Sequence, residues 1–169
     1  ARTGSTDSFV KRHPITVYYA LVLAISWGGL FIVAGPGGIS AEQLQTPFIL
    51  VYLVTVAGPC AAGILLTSLI DGRDGLRELR SRLLRWGVGV RWYAVALLVA
   101  PLSVIATLLV LSLTSSAFLP GFVTTNDKAS LLLTSLVAGL VTGFLEELGW
   151  TGFAVPKLTS RYGVFTTGL

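Results

Sequence analysis

Four apolar stretches, each about long enough to cross a bilayer as a helix, constrain this sequence more than any other feature. They run from Ile15 to about Ala34, from Pro47 to Ile70, from Trp92 to Leu113, and from Ser130 onward. A hydrocarbon core of about 30 Å needs roughly 20 apolar residues at the helical rise of about 1.5 Å each. In lipid every backbone polar group must be satisfied within the protein, which leaves helices or closed barrels, and runs of this length are helices. The expected fold is all-α, a polytopic membrane helix bundle. It has four transmembrane helices, a short amphipathic interfacial helix between the second and third, and the start of a fifth span. Residues 1–169 are read as a single transmembrane domain.

Composition agrees. Of 169 residues, 53% are hydrophobic and 12% charged, with a mean hydropathy of +0.80. Soluble domains carry about 25% charged residues, so this chain has roughly half the usual supply. That excludes a water-soluble globule, a disordered chain and a coiled coil, and it implies no nucleic-acid partner despite a pI of about 9.6. The single cysteine, Cys60, allows no intramolecular disulfide. Methionine is absent even at position 1, so the numbered chain is expected to be processed or an excerpt of something longer. The first span is too long for a secretory signal peptide and lacks a small-residue cleavage site, so it is read as retained. It ends at the breaker Gly35-Pro36-Gly37-Gly38.

Basic residues give the orientation. Arg2, Lys11 and Arg12, then Arg73, Arg77, Arg80, Arg82, Arg85 and Arg91, then Lys157 and Arg161 fall on one side; only Lys128 falls on the other. Eleven of the twelve Lys and Arg residues on one side predict a cytoplasmic N-terminus in a multi-pass protein of the plasma membrane. The arginine-rich loop from Asp71 to Arg91 is expected on that face. Its Leu76, Leu79, Leu83 and Leu84 recur at helical spacing. The loop is either an amphipathic helix whose guanidinium groups reach lipid phosphates, or a solvated connector obeying the positive-inside rule. Trp86, Trp92 and Tyr93 sit where an interfacial aromatic belt is expected. Gly58-Pro59 and Pro101 are expected to kink their spans. Gly139 and Gly143 form a G-x-x-x-G face suited to close packing.

The chemistry lies in Glu146-Glu147, inside the apolar run Leu140-Val-Thr-Gly-Phe-Leu-Glu-Glu-Leu-Gly-Trp-Thr-Gly-Phe-Ala-Val-Pro156. The next charge, Lys157, is eleven residues on, about 16 Å along a helix. An ionisable side chain at such depth costs on the order of 3 kcal/mol, so the default reading is a functional site facing a cavity. A carboxylate there can take a proton from water, as a general base must. Gly143, Gly149 and Gly152 flank the pair and leave room beside it. The competing readings are glutamates that pair with arginine or hydroxyls on other spans and hold the bundle together, or an ion or proton pathway.

The string Glu146-Glu147-Leu148-Gly149-Trp150-Thr151-Gly152-Phe153, followed by Pro156, resembles the first motif of the CAAX protease and bacteriocin-processing family of intramembrane endopeptidases. The stretch from Gly72 to Leu79, continuing to Arg91-Trp92-Tyr93, is similar to the segment those proteins carry before their third span. The resemblance implies that Glu146 activates the attacking water and that Glu147 supports it. It also implies a membrane-delivered peptide or prenylated protein as substrate, and in the intact family member a divalent metal such as zinc. The family commonly has arginine where this chain has Thr151, and a hydroxyl does not replace a guanidinium as a charge partner. The family's histidines come from spans beyond the fourth. His13, beside Lys11 and Arg12 at the membrane edge, is read as interfacial. No cofactor is expected in this chain, since two adjacent glutamates do not make a zinc site, and the 169 residues are expected to be inactive alone. Two alternatives stand beside the protease: a non-catalytic membrane immunity or scaffold protein, and a carrier subunit using Glu146 as a proton relay.

Overall fold

A computed structural model describes residues 9–35, 37–38 and 48–168. Arg2, Pro36 and Pro47 lie outside the described residues. Within them all regular structure is helical. The long elements are α1 (Pro14–Ala34), α2 (Phe48–Leu83) and α3 (Val90–Ser112). After a 3-10 turn at Ser116–Phe118 come the four-residue α4 (Gly121–Thr124) and α5 (Lys128–Gly149). A π-helical turn over Trp150–Ala154 then leads into α6 (Val155–Gly168). Four helical segments are long and apolar enough to span a membrane. Together they make the chain an integral membrane protein with an all-α bundle.

The chain divides into two compact units: residues 1–82 with 141–169, and residues 83–140. In the first, α1 opens with Pro14 at its first helical position, where the missing N–H costs nothing. Its buried stripe is Tyr18, Val22 and Ser26, one residue every helical turn. That stripe meets α2 in antiparallel order: a Cβ on Gly29 would strike Val54, and one on Gly58 would strike the Ser26 hydroxyl. Tyr18, Val22, Ala62, Leu66, Phe153 and Ala154 close into one buried cluster.

Pro59 leaves α2 helical but removes one of its hydrogen bonds. The N–H at position 59 would have bonded to the carbonyl of Thr55, four residues back. That carbonyl instead accepts the Ser26 hydroxyl at 2.7 Å, so α1 supplies the donor that proline withholds. The true break in α2 comes later, at Gly72, whose φ of 64° and ψ of −148° are not helical. A side chain at such a φ is strained, so the position suits glycine.

The end of α5 and the turn beyond it run parallel to α2. The Tyr52 and Thr142 hydroxyls bond to each other. Further along, a Cβ on Gly63 would sit 3.0 Å from the Gly149 Cα, and then Lys157 pairs with Asp71 at 3.1 Å. The contacts rise together along both segments. Close packing is therefore carried by Gly63 and Gly149. Among the described residues the expected Gly139 and Gly143 face packs against nothing: added Cβ atoms there would meet no atom within 4 Å. A further backbone break falls at Gly163, φ 80°, where a new helical direction begins.

The arginine-rich loop is helical as far as Leu83 and continuous with α2 across the Gly72 break. Its leucines do not all face outward. Leu79 is buried, with its Cδ1 close against Gly152.

In the second unit α3 has no buried residue. Ser103 and Thr107 turn their hydroxyls onto carbonyls of the preceding turn, at 2.7 and 2.8 Å. Before it, the Tyr93 hydroxyl donates to the Trp86 carbonyl at 2.5 Å. The Arg91 guanidinium lies 5.6 Å from the centre of the Trp92 ring. Asp127 caps α5 by accepting the Ser130 N–H at 3.0 Å.

Candidate functional site: the carboxylate pair and the turn beyond it

Glu146 and Glu147 occupy the last turn of α5, directly before the π-helical turn. Successive residues on a helix point about 100° apart, so neighbours in sequence become separated in space. Glu146 is half-buried and Glu147 exposed. Glu146 shares its face with Gly149 and Trp150, three and four residues on, and those two pack into the first unit. The structure thus keeps the predicted pair adjacent along the chain, with Glu146 the less exposed of the two.

Neither carboxylate makes a hydrogen bond or an ion pair among the described residues. The hydroxyl of Thr151, at the position where the resembling family has arginine, donates to the Glu147 backbone carbonyl at 2.8 Å. It is occupied with its own helix and does not orient a carboxylate.

The turn beyond is held firmly. Its widened geometry brings the Val155 N–H to the Trp150 carbonyl, the bond to the fifth residue back that defines a π turn and often marks functional segments. A Cβ on Gly149 would collide with the Pro59 carbonyl and come within 2.5 Å of the Tyr18 hydroxyl. The Tyr18 ring lies edge-on to Trp150 at 5.5 Å and tilted to Phe153 at 5.3 Å. Lys157 rests 5.1 Å from the Phe153 ring centre while pairing with Asp71. The room expected beside Gly149 and Gly152 is therefore filled, by the Pro59 carbonyl and by Leu79. Only Gly143 keeps open space.

Two features escaped sequence reasoning. Tyr18 is fully buried, and its hydroxyl has no hydrogen-bond partner among the described residues. The helical spacing of Tyr18, Val22 and Ser26 could have marked the stripe, but nothing in it marks an unpaired hydroxyl. A cavity of about 360 Å³ also opens beside the turn, with Asp71, Asp74, Glu78, Arg82 and Lys157 in its wall. The glutamate pair is not part of that wall. Lys157 had served only as a marker of the membrane edge, and its partner across 86 positions left no local signal.

His13 caps the start of α1, its ring 5.0 Å from Phe9. Among the described residues no group of three or more His, Cys, Asp or Glu is placed to hold a metal ion. No family model matches this chain, and no curated protein or solved structure matches it.

Proposed function

We propose that the chain belongs to a glutamate-dependent intramembrane endopeptidase, with Glu146 as general base and Glu147 as its supporting carboxylate. One observation carries the reading: a half-buried carboxylate with no hydrogen-bond or ion-pair partner among the described residues, on a helix end locked by Gly149, Trp150 and Phe153. A structural glutamate in a membrane bundle would hold a partner that offsets its cost. A general base keeps its lone pairs free for water. Glu146 takes a proton from a water molecule as that oxygen attacks the peptide carbonyl carbon. The same proton then goes to the departing amine nitrogen as the carbon–nitrogen bond breaks. The substrate is a peptide presented from the membrane, by a hydrophobic segment or a prenyl anchor. The side bearing the arginine-rich segment is the cytoplasmic face of the plasma membrane.

The test uses the full-length gene product in proteoliposomes with a hydrophobic or prenylated peptide. Cleavage products are followed by mass spectrometry. Glu146→Gln should lower the rate at least about 100-fold, with the helix content unchanged. A protein that cleaves nothing, or cleaves equally well with glutamine at 146, would overturn the assignment.

A further inference from the structure

Beyond the break at Gly72, the charges of α2 are sorted by face. Asp74 and Glu78 recur at helical spacing on one side and, with Asp71 just before the break, line the charged cavity beside the π turn. Arg73, Arg77 and Arg80 recur on the other side, and with Leu76 they line a separate hollow of about 300 Å³. At about 100° per residue Asp74 and Glu78 lie on average more than a right angle from the arginine triplet. The protein itself occupies the acidic side: Asp71 pairs with Lys157 and Glu78 with Arg82. The arginine side has little internal use. Only Arg77 has a partner, Asp74 at 2.9 Å, and both side chains are more than four-fifths exposed, a pairing that water largely screens. Arg73 and Arg80 are exposed and have no ion pair among the described residues.

The positive-inside rule accounts for how many cations lie here but is indifferent to the face they take. We infer that Arg73, Arg77 and Arg80 form a docking site for the phosphate of an anionic phospholipid. The apolar part of α2 ends at Ile70, three residues before the first of these guanidinium groups, which puts them next to the hydrocarbon edge, where phosphates lie. Guanidinium groups match phosphate oxygens in paired hydrogen bonds. Leu76 lies between them on the same face. The site stands independently of any peptidase activity.

The experiment reconstitutes the full chain in phosphatidylcholine vesicles containing a minor fraction of phosphatidylglycerol. After gentle extraction, mass spectrometry counts each lipid that stays with the protein. The wild-type chain should retain phosphatidylglycerol above its share of the vesicle. R73Q/R77Q/R80Q should lose that enrichment by about tenfold or more, whereas the charge-matched R85Q/R91Q/R161Q should keep it within about threefold. Circular dichroism checks that both remain helical, and R73K/R77K/R80K, which keeps the charge but loses the paired donors, should restore only part of the enrichment. Equal losses in the two glutamine variants, or no enrichment in the wild type, would refute the site. Displacement of the lipid by millimolar inorganic phosphate would also refute it, assigning the hollow to a soluble phosphate.

Discussion

Gly149 and Ser26 show how much of this bundle rests on single atoms. Gly149 lies where α5 touches the backbone of α2, and even a methyl group there would collide with the Pro59 carbonyl. Gly149→Ala should therefore destabilise the protein by about 1–3 kcal/mol, the usual cost of overpacking. Gly143→Ala, with open space around it, should be neutral. Denaturation midpoints in detergent check both, and equal effects would show that the close approach is not where the structure puts it. Ser26 supplies the donor that Pro59 removes from the Thr55 carbonyl. Ser26→Ala should cost about 1 kcal/mol. In a Pro59→Ala background, where an N–H returns to the helix, the same change should cost close to nothing. A double-mutant cycle without coupling would contradict that pairing. Neither position stood out in the sequence. Gly149 was one of several glycines near the glutamates, and a serine in a span signals nothing until a proline on another helix faces it.

At the scale of elements, α2 consists of a span and a charged helix joined at one left-handed glycine. Gly72→Ala forces a side chain into φ 64°, ψ −148°, a region essentially confined to glycine, and should cost about 1–3 kcal/mol. Gly72→Asn should cost about as much, because asparagine favours the left-handed helical region and not this ψ. Thermal unfolding followed by circular dichroism reads both; a stabilised alanine variant would mean the helix prefers to run straight. The leucine periodicity from Leu76 to Leu84 announced a helix here without its partner. One leucine, Leu79, turned out to pack on the π turn, while Leu84 stays exposed. The π turn itself was not legible. Its string Gly149-Trp150-Thr151-Gly152 reads as ordinary membrane helix until Trp150 and Phe153 meet Tyr18.

For the molecule as a whole, the ordered contacts within the first unit set directions. α1 opposes α2, and α2 runs parallel to the segment from Val141 through Lys157. In a Cys60→Ser background, cysteines at Lys11, Arg80 and Ser160 should label from one side of sealed vesicles, and one at Gly37 from the other. Labelling of Arg80 and Ser160 from opposite sides would break the parallel arrangement. The charge asymmetry alone gives the same order of crossings, since eleven of the twelve basic residues fall between or beyond the same ends.

Local signals sufficed for the membrane setting, the four spans and the presence of two acidic residues in an apolar run. Apolar length, charge count and helical spacing are properties of neighbouring residues, so they can be read along the chain. What only the tertiary structure decided is which residues meet. It separated Glu146 from Glu147 by leaving one half-buried and the other exposed. It moved close packing from Gly143 to Gly149, and it matched Ser26 to the carbonyl that Pro59 frees and Asp71 to Lys157. It also sorted the charges of α2 into an acidic side occupied by the protein and an arginine side left open. Those outcomes depend on the rotation and depth of one helix against another, which contacts tens of residues apart determine.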